Sequence, residues 1–322
     1  MVYFTLYLLL LQGLIKINFL GDFMPAHRVI PVIEKNPSYI FERTKNILKN
    51  ADFNVVNLEC PITDTGTPYE DKKFLFKLPG KYSFILKEGT INIVTLSNNH
   101  IMDYGIEGLI NTLQILNKSG IKYTGAGQNV NDASKPVIVE KDSVKIGILA
   151  YSATFPRAYW ATEKKPGTVF PYRSKIKKDI RNLREIVDFL VVSFHWGAEL
   201  LDTPKTYQKV LAKFAIDNGA DLVIGHHPHV IQWPEIYKGK LIFYSLGNFI
   251  FGSYSDNSSG AILNLTIDGD ELIYKIYPLE TRFSYSQFSP YPRSPESEEL
   301  PESLIGYLDS KENCLIIRLK RN

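Results

Sequence analysis

Six residues of this chain combine metal-binding side chains with a common setting. Asp22, Glu59, Asn99, His195, His227 and His229 each follow an apolar run. Carboxylate, amide and imidazole groups together suit Zn, Mn or Fe and need no thiolate. A pair of such ions polarises a phosphoryl or acyl oxygen and supplies hydroxide near neutral pH; one carboxylate between them can bridge both. The histidines concentrate in these places. Of six, only His27 lies outside a strand-end loop.

The apolar runs alternate with helical patterns. Strands are expected at Ile15–Leu20, Phe53–Leu58, Ile91–Leu96, Val144–Tyr151, Val187–Phe194, Leu222–Ile224 and Leu241–Ser245. Apolar spacing predicts helices at Pro37–Asn50, Gly80–Lys87, Gly105–Lys118, Lys175–Arg184 and Thr203–Asn218. Ile262–Ile267 and Leu272–Tyr277 flank Asp268-Gly269-Asp270 and read as a hairpin. The alternation specifies an α/β protein. In such sheets ligands bind beyond the carboxyl ends of the strands, where the six residues fall.

Composition narrows the class. The 322 residues include 37 basic and 34 acidic side chains, a net charge of +3. That balance carries no nucleic-acid signature. The densest basic cluster, Lys175-Ile176-Lys177-Lys178, reads as a solvated helix face. Cys60 and Cys314 are too far apart in sequence for a thiolate metal motif.

Several motifs occur in one order: Gly21-Asp22, Asn57-Leu58-Glu59-Cys60-Pro61, Asn98-Asn99-His100-Ile101-Met102-Asp103, His195-Trp196-Gly197-Ala198-Glu199, Gly225-His226-His227-Pro228-His229 and Leu246-Gly247-Asn248-Phe249. Jointly they resemble the CapA/PgsA family of bacterial capsule and poly-γ-glutamate synthesis proteins, whose domain is similar to calcineurin-like metallophosphoesterases. The resemblance implies a four-layer α-β-β-α sandwich with mixed sheets. It implies one or two divalent ions (Mn, Zn or Fe). Asp22 would hold the first and Glu59 would bridge. Asn99 and His195 would hold the second, and His227 and His229 would serve one ion each. His100 would be the general acid or transition-state stabiliser, oriented by Asp103. Asn98, His226, Glu199 and Asn248 are expected to support the ligands or face substrate.

The pattern has departures. The superfamily commonly has His two residues after the first Asp; here Met24 stands there. Glu59 stands in place of Asp. Singly, each residue also has an ordinary structural use: Asp22 as a cap, Glu59 as a loop acid, Asn98 and Asn99 as turn formers, His195 as a core histidine. Trp196 is expected to pack rather than stack on substrate.

The resemblance implies a metal-dependent hydrolase in synthesis, release or export of an anionic polymer, with the polymer or a phosphoester as substrate and membrane-bound capsule synthesis proteins as partners. Two alternatives stay open: a non-catalytic polymer-binding or scaffold subunit, and a soluble metallophosphodiesterase. Residues 1–15 are an apolar segment shorter than the ~20 residues that span a bilayer. If they are an anchor the protein is membrane-associated or extracytoplasmic, otherwise cytoplasmic. Residues 16–282 would form the catalytic-type domain. Residues 283–322 would be a Ser/Pro/Glu-rich tail, with Ser284–Pro301 extended on the surface and a terminal strand at Leu315–Leu319.

Overall fold

A computed structural model describes residues 14–70 and 72–321. The chain begins in one sheet with β1 (Leu14–Met24), β2 (Phe53–Leu58) and β3 (Ile93–Thr95), then α1 (Gly105–Ser119) and β4 (Lys122–Thr124). It crosses to a second sheet with β5 (Val137–Lys141), β6 (Val144–Ser152), α2 (Arg173–Arg184), β7 (Phe189–His195), α3 (Thr206–Asp217), β8 (Leu222–His226), β9 (Glu235–Tyr237) and β10 (Lys240–Phe243). It returns to the first with β11 (Asn248–Phe251), β12 (Gly260–Asp268), β13 (Glu271–Glu280), β14 (Leu308–Asp309) and β15 (Cys314–Lys320).

The first sheet runs β14-β15-β13-β12-β1-β2-β3-β4, with β11 also on β1; the second runs β9-β10-β8-β7-β6-β5. Both mix parallel and antiparallel pairs. Period-two alternation assigns each strand's two faces. Ile15, Ile17, Phe19 and Val55 meet Ile146, Ile148, Phe189, Val191 and Leu222 between the sheets. Val56, Leu58 and Val94 point the other way, onto Leu109, Leu113 and Leu116 of α1. Leu190, Val192 and Val223 cover Ile176, Ile180 and Leu183 of α2 and Ala212, Ala215 and Ile216 of α3. Three apolar interfaces separate four layers, so the sandwich is α-β-β-α.

Local differences have local causes. Pro37–Asn50 is not one helix: a 3-10 turn at Pro37–Phe41 precedes an α-turn at Lys45–Lys49. Thr44 Oγ1 donates to the Phe41 carbonyl (3.2 Å), a side-chain bond that competes with helix continuation. Gly80–Lys87 divides similarly, into Gly80–Tyr82 and Ile85–Glu88. Ile106, the first apolar residue of α1, is exposed.

Ser284–Pro301 is packed rather than extended on the surface, and the terminal strand expected at Leu315–Leu319 is present within β15. Ser286, Phe288, Ser289 and Pro295 are buried. Leu304, Leu315 and Ile317 join the core between the sheets, and β15 pairs antiparallel with β13. Of residues 1–15, Leu14 and Ile15 begin β1, and the remainder lie outside the described residues. Among the described residues no helix is long and apolar enough to cross a membrane.

Candidate metal centre

The six ligand candidates converge at the carboxyl ends of strands from both sheets. Asp22, Glu59 and Asn99 come from β1 and the segments after β2 and β3. His195 ends β7, and His227 and His229 follow β8. Asp22 departs from the expectation of a loop position. It sits inside β1 at a register shift, opposite Asn57 on one side and Asn248 on the other. Its N–H donates to the Gly247 carbonyl (2.8 Å). A Cβ on Gly21 would stand 2.1 Å from that same oxygen, so only glycine allows the approach. This contact couples the Gly-Asp and Leu-Gly-Asn-Phe motifs.

Three clusters can hold a metal: the buried set Glu59, His195 and His227, the buried to part-buried set Asp22, Glu59 and His229, and a third in which an exposed Glu199 joins His227 and His229. Each brings one donor atom per residue within 4.8 Å of the others. The first two share Glu59. Asn99 Oδ1 adds a donor 2.7 Å from His195 Nε2. Glu199, expected in a supporting place, presents its carboxylate directly to His227 and His229.

Glu59 is the most informative residue. It is fully buried, yet neither carboxylate oxygen has a hydrogen-bond partner. The nearest nitrogens, His195 Nε2 and His229 Nε2, lie 3.6 and 3.9 Å from Oε1. His227 Nδ1 is also buried without a partner. Buried polar atoms are almost always satisfied, so this donor set fits divalent cations.

Charge in the cluster follows from burial. Desolvation raises the Glu59 carboxyl well above its ordinary range, and the Asp22 charge adds to this. Burial also pushes Asp22 upward, but hydrogen bonds and charge from His226 and His229 outweigh it and hold Asp22 well below the usual range. Burial drives His195 far down and His227 to about 3, leaving both neutral at pH 7. Burial opposes protonation of His229 too, but Glu59 and Asp22 overcome it and lift His229 to about 10. Backbone strain accompanies the cluster: φ is +97° at His227 and +59° at His229. Left-handed backbone at non-glycine residues costs of order 1–3 kcal/mol each and persists where surroundings enforce it.

The supporting residues are placed as follows. His226 ends β8, in register with His195 on β7, and its Nδ1 lies 3.3 Å from Asp22 Oδ1. Asn248 Oδ1 accepts from His229 Nδ1 (2.9 Å). Asn98 Oδ1 accepts the N–H groups of His100 and Ile101 (3.0 and 2.8 Å), and its amide donates to the Leu58 carbonyl (2.8 Å). Trp196 is buried, stacked on Phe194 at 4.4 Å. Met24 is buried along the cleft wall.

His100 Nδ1 lies 2.7 Å from Asp103 Oδ2, and burial pushes His100 down to about 4. Three neighbours were not among the expected site residues. Lys72 Nζ stands 2.9 Å from the same Nδ1 and donates to Asp103 Oδ1 (2.6 Å) and to the Asn99 carbonyl. Phe76 stacks on the His100 ring at 4.1 Å, and its N–H donates to Asp103 Oδ2 (2.7 Å). Asn57 Nδ2 lies 2.8 Å from Asp22 Oδ1 and 3.2 Å from His195 Nδ1, so it ties ligands of the two sheets together. Asn57 was visible as part of a motif, two residues before Glu59. Lys72 and Phe76 lie in an aperiodic loop.

Residues 16–253 match the sequence profile of the bacterial capsule synthesis protein family, PGA_cap. The capsule biosynthesis protein CapA of Bacillus anthracis is 32% identical over 250 residues, covering 74% of this chain and 60% of that protein. The PGA biosynthesis protein CapA of Bacillus subtilis is 32% identical over 243 residues, covering 74% and 64%. The chain thus spans less than two thirds of the length of these relatives. Among solved structures, the NAD nucleotidase of Haemophilus influenzae superposes with a TM-score of 0.53 at 12% identity, covering 94% of this chain and 61% of that one. The shared fold is of the metallophosphoesterase type.

Proposed function

Because the chain belongs to the bacterial capsule synthesis protein family, PGA_cap, we propose that it is a metal-dependent hydrolase acting on an anionic capsular polymer or a phosphoester. The orphaned carboxylate of Glu59, shared by two ligand clusters, carries this reading. Asp22, Glu59 and His229 would hold one ion, and Glu59, Asn99, His195 and His227 a second. When bound, divalent ions polarise the scissile bond and activate water. Asn57 orients Asp22 and His195 from behind, the kind of support that fixes ligand geometry. Asp103 Oδ2 takes the hydrogen of His100 Nδ1, with Lys72 held beside it on Asp103 Oδ1, so Nε2 is the ring nitrogen left for the cleft. There it holds or moves a proton at the leaving-group atom. Phe76 shields the ring face and fixes its plane.

The test is metal analysis of the purified chain, followed by assays with Mn or Zn on bis(p-nitrophenyl) phosphate and on poly-γ-glutamate. Bound metal with turnover of either substrate supports the proposal; no metal and no turnover defeat it. A second reading rests on Met24, which stands where the superfamily commonly has a ligand: a polymer-binding subunit without turnover. His100→Ala separates the two. Complementation of a capsule-deficient strain that survives this change favours the binding role.

A further inference from the structure

His229, Glu199 and His100 line a cleft of about 730 Å³, and the cleft's other walls carry their own chemistry. Arg28 is exposed on one wall, with its guanidinium carbon 3.8 Å above the ring of Tyr254. Arg184, Arg282, Arg293, Arg318 and Arg321 pair with carboxylates, whereas among the described residues Arg28, like Arg43, Arg157, Arg173 and Arg181, does not, and of these five it alone lines this cleft. Only the aromatic face holds Arg28. Stacking leaves the guanidinium edge, with its fork of N–H donors, open to a planar anion.

The turn that presents Arg28 is enforced. His27, one residue earlier, has φ +53°, a strained value for a non-glycine residue. Its Nε2 lies 3.0 Å from the Leu75 carbonyl, and its ring meets Phe76 edge-on at 5.4 Å. Phe76 in turn stacks on His100. Arg28 is thereby held at a set position relative to the candidate proton-handling residue. The rim around it is mixed: the exposed apolar side chains Phe74, Leu200 and Tyr254 (61%, 55% and 53% exposed) stand beside Lys73, Glu199 and the serines of 253–258. A cation among exposed apolar surfaces fits a carboxylate carried on methylene stems. A ligand made mainly of phosphate leaves that apolar surface unused.

We propose that Arg28 is a specificity-determining residue that binds a substrate carboxylate near the scissile bond, selecting an acidic polymer with aliphatic spacers. This rests on the hydrolase reading of the same cleft, and the test separates the two. The Mn-loaded full chain is titrated calorimetrically with a γ-linked glutamate hexamer and with its neutral γ-linked glutamine counterpart. The acidic hexamer should bind more tightly, and Arg28→Gln should reduce that preference roughly tenfold to a hundredfold, the loss of one charge-assisted pair. Arg28→Lys should recover part of it by restoring the charge without the fork. Melting temperature checks that both variants fold. Equal binding of the two hexamers, or an unaltered preference in Arg28→Gln, overturns the proposal. So does Arg28-dependent binding of tripolyphosphate in place of the acidic hexamer. Failure to hydrolyse bis(p-nitrophenyl) phosphate or the hexamer, alongside Arg28-dependent binding of the acidic hexamer, defeats the hydrolase reading and leaves the recognition role standing.

Discussion

Replacing Glu59 with Gln should stabilise the metal-free protein and destabilise the metal-loaded one relative to wild type. Glu59 is fully exposed to the cost of burial: its surface is covered, both oxygens lack partners, and Asp22 adds like charge. A buried unsatisfied group costs about 1–3 kcal/mol, more when charged. Glutamine keeps the shape and removes the charge, so a gain of about 1–3 kcal/mol is expected without metal. For a chain of this size that corresponds to a rise of roughly 2–6 °C in melting temperature. The sign with pH follows from the raised carboxyl. The unfolded chain gives up this proton near pH 4.3, earlier than the folded one, so wild type loses stability as pH climbs above that value. The advantage of Gln should therefore widen as pH rises above 5. With metal at 100 times its dissociation constant, wild type gains about 2.7 kcal/mol that the variant forgoes. Thermal melts in EDTA and in Mn at several pH values provide the assay. A variant less stable than wild type in EDTA, or equal stabilisation of both by Mn, refutes the reasoning.

Other outcomes follow from the same geometry. His229 is lifted to about 10, so the metal-free protein carries a proton on it at neutral pH; metal binding should release about one proton and tighten as pH rises from 6 to 9. Calorimetry in buffers of different ionisation enthalpy measures this release. In the metal-free protein the stability contributed by this histidine is complete below pH 6.5 and fades toward pH 10, visible in melts across that window. Asn57→Ala should weaken metal affinity roughly 10–100-fold, read by competition with a chelating dye. His100→Ala should lower kcat on the phosphodiester by about 10²–10⁴ while metal content measured by mass spectrometry stays at the wild-type level.

The layers were legible because strand and helix periods differ, and each interface here repeats one of them. The convergence of six residues was legible for a related reason: strands place their ends along one edge. What the sequence concealed lacks periodicity. Lys72 and Phe76 belong to a stretch between β2 and β3 that is mostly irregular, so nothing in the local pattern aimed them at His100. Asn57 belongs to a motif, but its role was not legible there; only sheet-on-sheet packing brings His195 to it. Ser284–Pro301 misled through averaging. Ser, Pro and Glu dominate its composition, while a few side chains, among them Phe288 and Pro295, are buried and anchor it.

The centre straddles a seam. Three of its ligand candidates belong to one sheet and three to the other, with Asn57 stitched across. Neither sheet alone can assemble the set, however well formed it is. Metal uptake would therefore act as a coincidence detector for correct docking of the two halves. A chain whose sheets had formed but slipped by a single register would be structured, compact and unable to load. Metal occupancy would then report assembly of the whole sandwich.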